Sequence, residues 1–284
     1  MSGTLYIVST PIGNLEDITL RALRILREVQ LIAAEDTRHT RKLLNHFEIA
    51  TPATAYHEHN KLTRLDYILE KLKTGEDIAL VSDAGTPCLS DPGWELVRAA
   101  LDDGIKVDAV PGAAAPLVAL VLSGFAPQEF TFAGFPPRKK SELIAWLARF
   151  RQEVNRRPLI FFEAPHRLVA TLETAFETLG DRPVAVCREL TKLHQEVRRE
   201  LLSEAIAHFK ANEPRGEFSL VFAPASATAA LAEEEADRKE TVDPRQRLRE
   251  LKAAGLRAKE AVEVVCGETG LPRRQVYELW LNLD

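Results

Sequence analysis

Short apolar runs alternate with stretches of helical periodicity through the first 124 residues. The apolar runs have the length of buried strands and lie at 5–8, 31–34, 78–81 and 107–110. Strands that alternate with helices predict a mostly parallel sheet covered by helices. One of these helices is predicted over 18–29, with Asp17 as its N-terminal cap. The first part of the chain is therefore predicted to be an α/β domain.

The alternation begins again after Ala126, which indicates a second α/β domain. We place the boundary at Pro127, so that the two domains span 1–126 and 127–224. A chain of 284 residues exceeds the usual span of one core, which agrees with this division. The elements predicted for the second domain are strands at 130–135, 159–162, 184–187 and 218–222, and helices at 141–151 and from Leu168.

The remaining residues differ from both domains in composition. Residues 225–242 are rich in Ala and Glu and predict a linker. Residues 243–284 contain three helical stretches that break at Gly255 and Pro272, and they resemble a small helix-turn-helix domain. The predicted helices are 244–253, 257–268 and a third that ends at 283.

Three of the predicted strands in the first domain end in turns of small residues. The turns read STPIGN, SDAGTP and PGAAA. Open α/β sheets bind ligands beyond the carboxyl ends of their strands, where Asp83 is able to hold a ribose or an ammonium group and Gly85 allows close approach. The alternative is a set of ordinary turns with Asp as a helix cap. The turns contain neither GxGxxG nor a Walker lysine, which argues against a dinucleotide or triphosphate site.

The composition argues against several classes of protein. The net charge is −5, and no apolar run approaches the roughly 20 residues of a membrane helix. The N-terminus has no signal-peptide pattern, so we expect a cytoplasmic protein without a membrane partner. Cys88, Cys187 and Cys266 are odd in number and include no CxxC pair, so we expect neither a disulfide framework nor a bound metal.

Positive charge is concentrated in two segments of this acidic chain. Residues 136–157 carry seven Lys or Arg against two Glu, and residues 243–284 carry eight Lys or Arg against seven acidic residues. Such segments attract a phosphate backbone, although a solvated helix face is the alternative. The residues expected to contact such a phosphate backbone are Arg138, Lys139, Lys140, Arg257, Lys259, Arg273 and Arg274.

Seven motifs carry a resemblance to a known family. They read STPIGNLEDIT, AAEDTR, LVSDAGTPCLSDPG, VPGAAA, FFEAPHR, RELTKLHQE and GEFSLVF. Together they resemble the tetrapyrrole methylase superfamily, and within it the branch of bacterial 16S rRNA ribose 2′-O-methyltransferases. The resemblance implies the two-domain fold of class III methyltransferases, S-adenosyl-L-methionine bound between the domains, and a homodimer. The implied reaction is 2′-O-methylation of a cytidine ribose in the decoding region of the small ribosomal subunit.

The resemblance also implies which residues contact the donor, mostly through backbone groups. Where the family usually carries Ser or Cys, this chain has Ala114, which is unable to make a side-chain hydrogen bond. The implied donor contacts are Pro11, Ile12, Asp83, Gly85, Thr86, Ala113, Ala114, Phe162, Glu163, Gly216 and Glu217.

Methyl transfer to a ribose hydroxyl requires alignment of the reactants and removal of a proton. Charged residues follow three predicted strands in the motifs that distinguish this branch. We expect Asp36 or Glu163 to accept the proton. The cations expected to hold RNA phosphate or developing negative charge are Arg38, Arg167 and Lys192. For each residue the alternative is a helix cap or a structural ion pair.

Other functions compete with RNA methylation. A methyltransferase for a tetrapyrrole precursor would use the same pocket without needing the basic segments or the helical tail. Diphthine synthesis fits the fold but not the AEDTR and RELTK motifs. A non-enzymatic RNA-binding protein would explain the basic segments and leave the three small-residue turns without a ligand.

Overall fold

The computed structural model describes residues 2–126, 128–224, 243–269 and 271–283. The predicted boundary at Pro127 and the predicted linker at 225–242 lie outside the described residues. The chain divides into two compact units, residues 1–224 and 225–284. The first unit contains two five-stranded sheets, and the described part of the second contains helices alone.

The first sheet is parallel throughout, which confirms the predicted arrangement. Its strand order is β3-β2-β4-β1-β5, and every neighbouring pair is parallel. The three-residue strand β3 was not predicted, because it is too short and too little buried to produce an apolar run. The strands are β1 (Thr4–Val8), β2 (Leu31–Ala34), β3 (Ala53–Ala55), β4 (Ile78–Val81) and β5 (Lys106–Val110).

Helices cover both faces of this sheet. Alternate residues of a strand point to opposite faces, so Ile78 and Leu80 pack in one core whereas Ala79 and Val81 pack in the other. The pairs α1–α2 and α3–α4 cover opposite faces. Their bounds are α1 (Leu20–Glu28), α2 (Thr37–His46), α3 (Lys61–Lys73) and α4 (Trp94–Asp102).

The cap predicted for the first helix was wrong. Asp17 ends a short 3₁₀ turn, Leu15–Asp17, and Ile18 is extended. Thr19 is the N-terminal cap, because its side-chain oxygen accepts a hydrogen bond of 3.1 Å from the backbone N–H of Ala22. The helix therefore begins two residues later than the apolar periodicity indicated.

The second sheet is largely antiparallel, with the order β6-β7-β10-β8-β9 and one parallel pair, β6–β7. The strand predicted at 130–135 is only two residues long. The edge strand β9 was not predicted, because its sequence EVRREL is mostly charged and only partly buried. The strands are β6 (Thr131–Phe132), β7 (Leu159–Glu163), β8 (Pro183–Arg188), β9 (Glu196–Leu201) and β10 (Phe218–Phe222).

Helices also cover both faces of the second sheet. In β10, Leu220 faces the core under α6, α7 and α8, whereas Val221 faces α5. Helix α5 opens at Ala115 after the third small-residue turn, with Ala114 as its cap. The helices are α5 (Ala115–Ser123), α6 (Lys140–Phe150), α7 (Leu168–Leu179) and α8 (Leu202–Ala211).

The described part of the second unit is a three-helix cluster with its own core. Leu248, Val262, Val265 and Val276 are fully buried in it. Asp243 caps the first helix by accepting a 3.0 Å hydrogen bond from the N–H of Arg245. The helices are α9 (Pro244–Ala253), α10 (Ala258–Thr269) and α11 (Arg273–Leu281). Across the described residues, no helix has the length and apolar character needed to cross a bilayer.

Candidate active site

A cavity of about 400 Å³ lies at the carboxyl ends of the first-sheet strands, and residues of the second sheet close it. This volume is in the range of small-molecule sites, about 300–1,000 Å³. We call it the larger cavity. Turns after β1, β4 and β5 all contribute to its wall, as their small residues indicated. The predicted donor contacts in its lining are Ile12, Asp83, Gly85, Thr86, Ala114, Phe162, Glu163 and Glu217.

Hydrogen bonds join the three small-residue turns. Thr10 and Gly85 exchange backbone hydrogen bonds of 2.9 and 3.1 Å, which link the first turn to the second. The Thr86 hydroxyl donates to the Ala113 carbonyl at 3.2 Å and lies 3.0 Å from the Ser9 hydroxyl. Thr86 therefore connects all three turns. Ala113, a predicted donor contact, lies outside the cavity lining.

Gly85 satisfies two constraints at this wall. Its φ of +81° lies in the left-handed region that favours glycine. A Cβ on Gly85 would lie 3.3 Å from the Ile12 side chain and 3.6 Å from the Ala113 carbonyl oxygen. A side chain here would strain the backbone and crowd the junction of the three turns.

One corner of the larger cavity is acidic. The Asp83 carboxylate accepts a 3.0 Å hydrogen bond from the Asp36 N–H, and the Asp83 N–H donates to Glu35 at 3.3 Å. Burial, together with the nearby Glu35 and Asp83 carboxylates, raises the pKa of Asp91 to about 6. Burial also raises the pKa of Glu35. Sequence analysis did not single out Asp91, although it lies within the quoted SDP motif.

Another part of the wall is aromatic. The Phe162 ring lies 5.1 Å from the Phe132 ring and 5.2 Å from the Phe135 ring, measured between centroids. Phe135 and Phe162 both line the larger cavity, and Phe135 is exposed. This wall offers an apolar surface suited to a flat ring system.

Glu163 lines the same cavity, but its carboxylate is engaged by the protein. It accepts hydrogen bonds from the Thr171 hydroxyl at 2.5 Å and from the Ala164 N–H at 2.8 Å. Its side chain is fully buried, and the Arg167 guanidinium lies 3.4 Å away. Arg167 also donates to the carbonyls of Pro136 and Pro137. It therefore anchors the chain segment next to Phe135.

A second cavity of about 340 Å³ adjoins the first, and we call it the smaller cavity. Ile12, Asp83, Ala84 and Glu217 line both cavities. The other predicted site residues in the lining of the smaller cavity are Pro11 and Lys192.

Lys192 is held between two carboxylates at the edge of the smaller cavity. Its ammonium group lies 2.9 Å from Glu189 and 3.0 Å from Glu217. Gly13 allows this segment to approach the first turn, because a Cβ on Gly13 would lie 2.4 Å from the Lys192 Cγ. This contact ties a turn of the first sheet to a loop of the second.

Five predicted site residues lie outside both linings: Asp36, Arg38, Ala113, Arg167 and Gly216. Asp36 forms a 2.7 Å ion pair with Arg38, whose side chain is 90% exposed. Hydrogen bonds from Arg38 hold the pKa of Asp36 well below its usual range. Gly216 packs against Glu189, where a Cβ would meet the carboxylate at 2.6 Å. His166, which follows β7 in the FFEAPHR motif, is exposed.

The predicted RNA contacts are on the surface. Lys139 pairs with Glu142 at 3.1 Å, and Lys140 pairs with Glu177 at 3.3 Å. Pairing weakens the positive potential that these two lysines present to a phosphate group. The exposed members of the predicted set also include Arg138, Arg257, Lys259, Arg273 and Arg274.

Comparison with known proteins agrees on one family. A family model described as tetrapyrrole (corrin/porphyrin) methylases matches residues 4–206. A Synechocystis protein named ribosomal RNA small subunit methyltransferase I is 48% identical over 285 residues, covering 99% of each chain. A protein of the same name from Halalkalibacterium halodurans is 45% identical, covering 98% of this chain and 94% of that protein. The Thermotoga maritima protein of that name is 50% identical over 219 residues, covering 77% of this chain and 97% of that protein.

Solved structures share the fold at low sequence identity. Diphthine synthase has a TM-score of 0.62 at 14% identity, covering 78% of this chain and 90% of that chain. Uroporphyrin-III C-methyltransferase from Thermus thermophilus, solved with S-adenosyl homocysteine, has a TM-score of 0.55 at 18% identity. That match covers 77% of this chain and 97% of the other. At these identities the likeness concerns the fold alone.

The acidic corner predicts that replacing Asp91 by a neutral residue stabilises the protein. The size of this gain should depend on pH. Between pH 4 and about 6, Asp91 ionises in the unfolded chain before it ionises in the folded one, so rising pH lowers the free energy of unfolding. The shift sets an upper bound of about 3 kcal/mol, and we expect about 1 kcal/mol because partial exposure screens the charge.

Asp91→Asn should therefore raise the free energy of unfolding by about 1 kcal/mol at pH 7.5 and by much less at pH 4. Urea denaturation at both pH values measures this difference. The exposed Asp66, changed to Asn, is the matched control and should change little at either pH. A loss of stability for Asp91→Asn at pH 7.5 would contradict the assignment of a costly buried charge.

Proposed function

Because the chain belongs to the tetrapyrrole (corrin/porphyrin) methylase family, we propose that it is an S-adenosylmethionine-dependent methyltransferase of small-subunit ribosomal RNA. The finer proposal is 2′-O-methylation of a cytidine ribose in the decoding region. The observation that carries it is the larger cavity, because loops of both sheets contribute to its wall. In addition, 99% of the chain is similar to a protein named ribosomal RNA small subunit methyltransferase I.

The chemistry of the larger cavity fits this donor. The Phe162 wall suits the adenine, and the acidic corner at Asp83 suits the ribose hydroxyls or the positively charged groups of the donor. When bound, the donor supplies a methyl group already activated on a sulfonium sulfur. The protein's contribution is then to hold the donor and to align the ribose hydroxyl with it.

A wall carboxylate is proposed to accept the proton of the ribose hydroxyl. Glu163 is the sequence-derived candidate that lines the larger cavity, although Thr171 and Arg167 already engage it. Asp36 lies outside both linings, and its low pKa makes it a weak acceptor. Glu35, Asp83 and Asp91 join the candidates because they line the larger cavity. Arg38 and Lys192 remain proposed contacts for RNA phosphate.

The C-terminal unit is proposed to add RNA affinity to a complete methyltransferase core. The Thermotoga maritima relative is matched almost end to end by 219 residues, close to the 224 of the first unit here. The exposed cations of the described helices supply the positive charge for phosphate contacts. The resemblance to the family further supports a homodimer, and an rRNA substrate supports a cytoplasmic location.

The proposed function predicts which substrates accept a methyl group. With tritiated S-adenosylmethionine, we expect transfer to purified small ribosomal subunits or to naked 16S rRNA, and none to a porphyrin precursor. Scintillation counting of each purified acceptor measures the transfer. Nuclease digestion followed by mass spectrometry identifies the nucleoside and the 2′-O position. Transfer to the porphyrin precursor alone would overturn the proposed function.

The crowding at Gly85 predicts a loss of donor affinity. Gly85→Ala should lower affinity for S-adenosylmethionine about tenfold or more in isothermal titration calorimetry, because the new Cβ displaces Ile12 from the cavity wall. Gly104→Ala is the matched control, since Gly104 also has a positive φ, +68°, but no neighbour within 4 Å of its Cβ. Both variants should lose about 1–2 kcal/mol of stability. Unchanged donor affinity in Gly85→Ala would refute this placement of the donor.

The proposed role of the C-terminal unit predicts that removing two of its positive charges weakens RNA binding. Arg273→Ala with Arg274→Ala should weaken binding to the small subunit and reduce its salt dependence, because two phosphate contacts are lost. The control removes Arg245 and Arg249, two exposed arginines of α9 outside the predicted set. Filter binding across salt concentrations measures both double variants, and donor affinity should stay constant. Equal losses in the two double variants would contradict the assigned contacts.

A further inference from the structure

The smaller cavity adjoins the larger one but belongs to a different part of the wall. The first turn, helix α2 and the end of β4 form most of it, and Lys192 and Glu217 complete it from the second sheet. Because Ile12, Asp83 and Ala84 line both cavities, a group bound in one lies beside a group bound in the other. Two adjoining cavities are what a two-substrate transfer reaction requires.

A buried hydroxyl at the smaller cavity has no hydrogen-bond partner among the described residues. Thr40 on α2 lines this cavity and is only 3% exposed. Its Oγ1 makes no hydrogen bond within the described part of the chain. Leaving a buried hydroxyl unpaired costs about 1–3 kcal/mol, so such groups point to an absent partner. A ligand that offers a hydrogen-bonding group would supply that partner.

Two cationic or titratable side chains stand at the same cavity without ion-pair partners among the described residues. His39 and Lys42 are on the α2 turns that line the cavity, and both are exposed. Lys192, in contrast, is neutralised by Glu189 and Glu217. The free ammonium group of Lys42 is therefore available to an anion.

The two cavities differ in charge. Glu35 and Asp91 line only the larger cavity, whereas His39 and Lys42 line only the smaller one, and the carboxylates of Asp83 and Glu217 line both. A cationic donor is favoured in the first and an anionic acceptor in the second. A volume of about 340 Å³ accommodates one nucleotide but not paired RNA.

We propose that the smaller cavity binds the single RNA nucleotide that is methylated, with its phosphate at Lys42 and a sugar or base group at the Thr40 hydroxyl. The nucleotide enters unstacked from its neighbours, as enzymes that act inside structured nucleic acids require. Its ribose lies at the wall shared with the larger cavity. This inference rests on the proposed function and assigns its acceptor site.

Removing the hydroxyl of Thr40 tests the cavity without removing a hydrogen bond between described residues. The RNA substrate for this test is the one that the wild type methylates, either the small subunit or 16S rRNA. Thr40→Val should raise KM for that substrate by about fivefold or more, which corresponds to roughly 1 kcal/mol of binding free energy. Its melting temperature should stay equal or rise, because an unpaired buried hydroxyl is lost. Thr40→Ser, which keeps the hydroxyl, should retain the wild-type KM. Donor affinity, measured by calorimetry, should be the same in all three proteins.

A second test replaces Lys42, and a variant of the neighbouring Arg41 is its control. Lys42→Ala should raise KM for the RNA substrate several-fold. It should also reduce the slope of log RNA affinity against log salt concentration by about the amount expected for one phosphate contact. Arg41 is exposed on the same helix and does not line the cavity, so Arg41→Ala should have a smaller effect.

The outcomes separate the two proposals. Wild-type KM in both Thr40→Val and Lys42→Ala, or an equal loss in Arg41→Ala and Lys42→Ala, would overturn the nucleotide site. Either result leaves methyl transfer to RNA by the wild type intact. If the wild type binds S-adenosylmethionine but transfers methyl groups only to a porphyrin precursor, the proposed function fails and the nucleotide site fails with it.

Discussion

The paired backbone hydrogen bonds between Thr10 and Gly85 are the constraint on which the site depends. They hold the turn after β1 against the turn after β4, and Thr86 extends the link to the turn after β5. Strands β4, β1 and β5 are neighbours in the sheet, so their carboxyl ends already lie side by side. The hydrogen bonds turn that proximity into a fixed wall. A ligand then meets preorganised backbone groups, which lowers the entropy cost of binding.

The backbone conformations of the two flanking loops show where the fold tolerates strain. Cys88 and Ser90 have positive φ values beside the larger cavity, and Glu189 and Thr191 have them beside Lys192. Among the described non-glycine residues, only Glu48 shares this property elsewhere. Each such residue costs about 1–3 kcal/mol unless its surroundings hold it in place. The strain is therefore concentrated in loops whose shape defines the cavities, while the sheets remain regular.

Local patterns in the sequence predicted the elements whose residues are uniformly buried. The strands at 31–34, 78–81 and 218–222 form with the predicted bounds, because each is a short, mostly apolar and fully buried run. Strand β9 is mostly charged and needs its neighbour β8 to become a strand. The acidic corner depends on contacts such as that between the Asp36 N–H and Asp83, which lie 47 positions apart. Residues from distant segments form the wall that the two cavities share, so no single segment of the sequence predicts it.

The antiparallel second sheet serves the site as well as the parallel first one does. In a parallel sheet the carboxyl ends of all strands share one edge, but in an antiparallel sheet neighbouring strands end at opposite edges. Phe218 pairs with Glu163 on one side and with Arg188 on the other. The start of β10 therefore lies at the same edge as the ends of β7 and β8. This register brings Glu163, Glu217 and the Glu189–Lys192 pair to one edge of the sheet, although 54 positions separate Glu163 from Glu217. Shifting β10 by one residue would turn its side chains to the opposite faces and remove Glu217 from the wall that the two cavities share.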